Sequence, residues 1–209
     1  MVRRTKEEAQ ATRSHILDTA ERVFEQHGVS GTSLHEIAKA AGLTRGAIYW
    51  HFKDKADLFN AMMERVTLPL EEADAIGSLK DDDITLAQVR NGLVAVLRKM
   101  TTDPQLRRVF EIATHKVEYV GEMLAVRERH LAMRTACLAD IERTLRGAAR
   151  TGELRPGLSA RNAAIGMLAL FVGLWQSWMP APQEFDLPRV AGQAFDAYLR
   201  GLRRTDSAT

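Results

Sequence analysis

The chain has 209 residues, 45% of them hydrophobic and 27% charged, with 14 Gly and 6 Pro. That composition excludes a disordered, collagenous or low-complexity polymer and fits one or two globular domains with a sizeable core. The net charge of +2 neither announces nor excludes a nucleic-acid binder, and residues 1–60 carry 9 Lys/Arg against 8 Asp/Glu, so any basic surface must come from local placement.

A single cysteine, Cys137, excludes an internal disulfide. With no charged-then-apolar leader, the expectation is a reduced, cytoplasmic setting. The longest uncharged apolar stretch, residues 163–175, is shorter than the ~20 residues a membrane-spanning helix needs and predicts a buried helix, with no membrane partner.

In chain order, Ile16, Leu17, Ala20, Val23 and Phe24 recur at helical spacing and predict an amphipathic helix over 6–27, stopped by Gly28. Ser33 and Glu36 have capping-box spacing before Leu34, Ile37, Ala38 and Ala41, which predicts a short helix over 34–41. After Gly42, Thr44 caps a third helix over 45–51 and Asp54 a fourth, from Lys55 towards residue 77. The run Asp81-Asp82-Asp83 reads as a solvated loop, without the further acids at loop-ligand spacing that a metal requires. Further helices are predicted over 84–101, 105–115, 121–150, 160–178 and 188–203. No alternating β-branched segment bounded by hairpin turns occurs, so the fold class is all-α, with about nine helices.

Residues 32–55 carry more than packing. Ala38 is small enough for two helices to cross, Gly42 can take the positive φ of a three-residue turn, and Ile48 inserts as the core knob of the second helix: a helix-turn-helix. Its last helix crowds Tyr49, Trp50, His51 and Lys53 into a segment too short to bury them all. Such a helix fits a major groove about 12 Å wide and presents Arg45 and Tyr49 to base edges. Thr32, Ser33, Thr44, Tyr49, His51 and Lys55 are placed to donate hydrogen bonds to phosphates, and the basic start, Arg3-Arg4 with Lys6, is a second candidate contact as a flexible arm.

The stretch from Lys6 through Phe59, above all Thr44-Arg45-Gly46-Ala47-Ile48-Tyr49-Trp50-His51-Phe52-Lys53-Asp54-Lys55, resembles the DNA-binding region of the TetR family of bacterial transcriptional repressors. Leu106-Arg107-Arg108, Glu111-Ile112, His115-Lys116, Val120-Gly121-Glu122-Met123, Ala181-Pro182-Gln183 and Phe185-Asp186-Leu187 extend the likeness to its AcrR-like branch, which represses multidrug efflux pump operons. The resemblance implies a three-helix DNA-binding head at 1–54, with Gly46 and Trp50 among its contacts, and a helical ligand-binding and dimerisation domain at 55–209. It also implies double-stranded operator DNA as partner and an inducer held between the fourth to eighth helices.

The later helices present apolar faces: Leu93, Val96, Leu97 and Met100; Phe110, Thr114, Cys137, Leu138 and Ile141; Met167, Leu168, Phe171 and Trp175. An ordinary core accounts for any one of them. Together, Met and aromatic side chains mixed with a few polar groups also suit a roomy site of ~300–1,000 Å³ for a hydrophobic small molecule. Within the family region, Val66 on the fourth helix joins these candidates, and Glu111 is placed either to orient a cationic ligand or to join a surface ion-pair network. The faces of the last two helices, with Ala164, Leu168, Phe171, Trp175 and Trp178 on one and Val190, Ala194, Ala197, Tyr198 and Leu202 on the other, predict a homodimer through those helices.

Six histidines and Cys137 show no metal-ligand spacing, nucleophile elbow or phosphate loop, so neither metal, cofactor nor catalysis is expected. The competing readings are a regulator of a metabolic or stress operon, a helical protein-binding scaffold, and an enzyme.

Overall fold

The structure is a computed structural model that describes residues 6–72 and 85–204, with side chains described for 6–67 and 85–204. Arg3, Arg4 and the Asp81-Asp82-Asp83 run lie outside the described residues. Among those described, nine α-helices follow one another: α1 (Lys6–His27), α2 (Leu34–Ala40), α3 (Arg45–His51), α4 (Lys55–Glu72), α5 (Leu86–Thr102), α6 (Pro104–His115), α7 (Leu124–Arg150), α8 (Ala160–Trp178) and α9 (Leu187–Leu202). Pairing between extended segments is confined there to an isolated bridge of Leu154 with Arg203.

Helix starts follow the sequence chemistry. Thr85 caps α5 reciprocally with Gln88, Ser159 accepts from Asn162 N, and Asp186 accepts from Arg189 N ahead of Pro188 in the first turn of α9. The segment expected as one helix over 121–150 opens instead with a 3₁₀ turn, Gly121–Met123. Val120 there offers no side-chain cap, and its carbonyl takes Met123 N at 3.0 Å, tightening the first turn to i→i+3.

Packing divides the chain into two compact units: residues up to 67 with 104–130, and 68–103 with 131 onwards. These units do not break at residue 54, because α4 as far as Thr67, and all of α6, group with α1. In the first unit Ile16, Leu17, Ala20 and Phe24 of α1 share a core with Ile37, Ile48, Phe52, Leu58 and Phe59, and the Phe24 and Phe59 rings stand 6.3 Å apart. A buried carboxylate sits beside this core. Glu21, 2% exposed, pairs with Arg65 of α4, accepts from Gln105 Nε2 at 3.0 Å and lies 3.9 Å from Arg108 of α6. Arg65 also donates to Asp18 at 2.7 Å and Arg108 reaches Glu25 at 3.3 Å, so the acids of α1 anchor α4 and α6.

Farther along this unit the Tyr119 hydroxyl donates to the Ala113 carbonyl at 2.8 Å, and its oxygen therefore accepts Nδ1–H of His130 at 3.0 Å. Burial pushes the Tyr119 phenol up to about 12, while burial and then the neighbouring Arg129 charge hold His130 below the ordinary histidine value.

The second unit packs α5 against α9 and α8 against α9. Val89, Leu93, Leu97 and Met100 meet a core that includes Ala164, Met167, Leu168, Phe195 and Leu199, with the Trp175 and Trp178 rings 6.1 Å apart. The Tyr198 hydroxyl ties α9 to α8 through the Ala163 carbonyl at 2.8 Å. Of the residues expected on the dimer face, Ala164, Leu168, Trp175, Trp178 and Leu202 are buried inside the unit, whereas Phe171, Val190, Ala194 and Tyr198 are half-buried and Ala197 is exposed. What α8 leaves outward is a different stripe, Ile165, Ala169, Val172 and Gly173.

Two outcomes follow from the buried groups. Arg65→Ala leaves the buried Glu21 carboxylate with only Gln105 and the more distant Arg108 and should lower stability in urea unfolding by about 2–3 kcal/mol. Glu21→Gln should cost about 1 kcal/mol, and the double variant less than the sum of the singles. His130 is held neutral in the fold while the unfolded chain binds a proton near 6.5. Its stabilisation is therefore present above pH 6.5 and is lost as pH falls through the depressed folded value. Thermal melts between pH 7.5 and 5 should fall more steeply for the wild type than for His130→Gln.

Candidate nucleic-acid interface

The helix-turn-helix is assembled by caps, a turn and one inward side chain. Ser33 caps α2, accepting from Glu36 N at 3.3 Å, while Glu36 Oε2 takes both Ser33 N and Ser33 Oγ. Those two bonds, hydroxyl first, hold the Glu36 carboxyl below the usual carboxylate range. Gly42 adopts φ +68° in the turn, which lets Leu43 N reach the Ala38 carbonyl at 2.9 Å and Gly42 N that of Lys39 at 3.1 Å. His15 of α1 donates its Nε2–H to the Ala41 carbonyl at 3.1 Å and steadies the end of α2.

Thr44 caps α3 by accepting Ala47 N at 3.2 Å. Ile48 is 0% exposed and locks α3 into the core; Phe52 behind it is buried under the Arg13 guanidinium, 5.0 Å from the ring centre. With Ile48 inward, the opposite side of α3 is forced outward: Tyr49 is 47% exposed and Trp50 71%. Arg45 stands over the Tyr49 ring at 5.6 Å, and Trp50 meets the His51 ring edge-on at 4.6 Å. Asp54 starts α4 by accepting Asp57 N at 2.8 Å, and Asp57 in turn takes Lys53 N at 2.9 Å.

A recess of about 490 Å³ opens beside this helix, lined by residues that include Ser33, Tyr49, Lys53 and Lys55. The carboxylates of Glu36, Asp54 and Glu122 line it as well, so the recess is of mixed charge. The structure brings Ser33, Thr44, Arg45, Gly46, Tyr49, Trp50 and His51 into the same helix-turn-helix, and all but His51 are exposed.

Thr32 and Lys55 depart from the expectation that both present donors outward. Thr32 is buried, and its hydroxyl goes to the Gly28 carbonyl at 2.7 Å. Lys55 Nζ donates to the Val29 carbonyl at 2.9 Å and that of Thr32 at 3.0 Å, with Glu122 at 3.6 Å. Both side chains satisfy backbone carbonyls at the entry to α2, an internal demand that spacing alone does not display. Lys116 and Glu118 brace the same entry: Val29 N donates to the Lys116 carbonyl at 2.7 Å, and Glu118 N to Ser30 Oγ at 3.3 Å. The role of Arg13 had one sequence signal, a basic side chain that continues the apolar stripe of Ile16, Leu17 and Ala20 on α1.

The candidate ligand residues fall in both units. Val66, Phe110, Glu111 and Thr114 belong to the first, where Thr114 gives its hydroxyl to the Phe110 carbonyl at 2.7 Å. Leu93, Val96, Leu97, Met100, Ile141, Leu168 and Trp175 are buried in the second, where Phe171 and Cys137 are half-buried. Burial, then the charge of Asp140, pushes the Cys137 thiol up, away from thiolate.

Among the described residues no group of His, Cys, Asp and Glu could hold a metal, and no helix is long and apolar enough to cross a membrane. Residues 16–62 match the profile of bacterial regulatory proteins, tetR family, and residues 85–204 that of the C-terminal region of MAATS-type transcriptional repressors. The HTH-type transcriptional regulator AcrR of Shigella flexneri is 46% identical over 91% of this chain and 89% of its own length. Of the solved structures, NalD, the secondary repressor of the MexAB-OprM multidrug efflux pump in Pseudomonas aeruginosa, superposes with a TM-score of 0.86 at 34% identity, covering 95% of this chain and 99% of that one. A SmeT–triclosan complex gives 0.80 at 33% identity over 94% of each chain, SmeT being the repressor of the Stenotrophomonas maltophilia pump SmeDEF. With an outward-facing helix-turn-helix and matches spanning both halves, the chain belongs to the tetR family of bacterial regulatory proteins, DNA-binding transcriptional regulators and not enzymes.

Proposed function

We propose that this protein represses a multidrug efflux pump operon in the bacterial cytoplasm and leaves its operator when a hydrophobic inducer binds. The observation that carries the reading is the outward face of α3, where Arg45, Tyr49 and Trp50 stand exposed on a helix locked from behind by Ile48. Large aromatic side chains exposed beside a guanidinium are held ready for a partner, and a major groove accepts a helix of this width. Arg45 and Tyr49 read base edges; Ser33, Thr44 and His51 face phosphates, and Thr32 and Lys55 support the contact by fixing the α2 entry. Arg3 and Arg4 extend the contact as an arm.

Residues 1–54 form the reading head, and 55–209 the ligand-binding and dimerising part. The outward stripe of α8, with Ile165 and Val172, is the natural seat of a second copy together with α9. A two-fold pair sets its recognition helices about 34–36 Å apart, one turn of duplex. The inducer is apolar and aromatic in character, in keeping with the Leu93, Leu168, Phe171 and Trp175 side chains and with the triclosan held by SmeT. Ligand that prefers the conformation unable to span the operator shifts the dimer away from DNA by a coupling of ~1–3 kcal/mol.

Tyr49→Ala should weaken binding to the duplex upstream of the linked pump genes by about tenfold or more, while leaving thermal stability and dimerisation intact. Loss of dimer in that variant would place Tyr49 in the core and sink the reading. Gly46→Ala separates contact from folding: a Cβ there meets only Thr44 Oγ1, at 4.0 Å, so helix propensity should raise stability by about 0.5–1 kcal/mol while close approach to DNA is lost. A saturating triclosan titration should lower operator affinity by about fivefold to a hundredfold; unchanged affinity would remove the release mechanism.

A further inference from the structure

A recess of about 500 Å³ lies on the α5–α9 face of the second unit, and the regulatory reading does not use it. Its floor is an ordered guanidinium. Arg90 of α5 passes so close to α9 that a Cβ on Gly192 would stand 2.9 Å from its Nη2. It then grips Asp196 through Nε at 3.0 Å and Nη2 at 2.9 Å, and gives Nη1 to Asn91 Oδ1 at 3.1 Å. The fork holds the Asp196 carboxyl below its ordinary range, so the recess's carboxylate is already neutralised. Because the Asn91 oxygen faces Arg90, its amide hydrogens are left to the recess.

Arg200 and Arg203 line the same recess and are exposed; Arg200 adds its charge near Asp196, which Arg90 already holds, and neither forms an ion pair within 4 Å among the described residues. The end of α9 does not require them. Its Leu199 carbonyl accepts from Arg203 N and its Leu202 carbonyl from Arg155 N, each at 3.1 Å, so backbone donors already meet those terminal acceptors. Two guanidiniums and an amide beside the apolar wall of Leu199 and Ala87 make a surplus of donors over the acceptors that the described residues place in the recess.

We propose that this recess binds a doubly charged oxyanion carried on a small apolar body, a phosphomonoester in its chemistry, with Arg200 and Arg203 holding the anion and Asn91 donating to it. The volume is within the ~300–1,000 Å³ of small-molecule sites, and guanidinium forks match phosphate oxygens in geometry as well as charge. The site lies wholly within the second unit and stands independently of the efflux reading.

Calorimetric titration of the full-length protein at about 0.15 M salt with 2-naphthyl phosphate, 2-naphthol and inorganic phosphate tests this. Saturable binding of 2-naphthyl phosphate is expected below about 1 mM, at least tenfold tighter than either fragment. Arg200→Gln/Arg203→Gln should weaken it by about tenfold or more with an unchanged circular dichroism spectrum. Asn91→Asp, which puts a negative charge in the recess and leaves both arginines in place, should weaken it as strongly. Absence of saturable binding by the wild type, or undiminished binding by both variants, overturns the proposal. Equal affinity for inorganic phosphate overturns the part assigned to the apolar body.

Discussion

A helix of seven residues cannot hold itself: the first turn costs more conformational entropy than one hydrogen bond returns, and α3 ends almost as soon as it begins. Everything else in the first unit answers that constraint. Thr44 and Ser33 supply caps, Gly42 supplies the left-handed turn, and Ile48 supplies the apolar anchor. Once Ile48 points inward, the 100° step of the helix leaves Tyr49 and Trp50 no choice but to face out. The same geometry that stabilises the helix therefore creates its reading surface.

Charge is used in the same two-sided way. The nearly equal totals of acid and base hide a sorting by partner: Asp18, Glu21 and Glu25 of α1 are engaged by Arg65 and Arg108, while Arg45 and Lys53 remain exposed around the helix-turn-helix. A carboxylate as buried as Glu21 is tolerated because two guanidiniums and a carboxamide surround it. The acids contribute cohesion among α1, α4 and α6 and leave the positive side chains outside, where a polyanion can find them. A modest net charge is then compatible with DNA binding and with release.

Much of this was legible in the sequence. The caps at Ser33, Thr44 and Asp54, the turn at Gly42 and the inward Ile48 each rest on interactions within a few residues, and all occur as the spacing predicts. Long-range demand is where spacing misleads. Lys55 reads as a free cation, yet its ammonium is held by carbonyls more than twenty residues away, and Thr32 turns its hydroxyl to Gly28. In the same manner the apolar faces of α8 and α9 are real, but α5 and the packing of α8 on α9 cover much of what a single-helix reading assigns to a second copy.

By itself the sequence determined the all-α class, the order of the helices, and the helix-turn-helix, because periodicity, capping and turn chemistry are local. Only the tertiary structure decided which polar side chains are consumed inside: Glu21 by Arg65 and Arg108, Lys55 by the α2 entry, Asp196 by Arg90. The physical reason is that a buried charge or carbonyl takes its partner from whatever segment folding brings alongside, and separation along the chain carries no record of that choice.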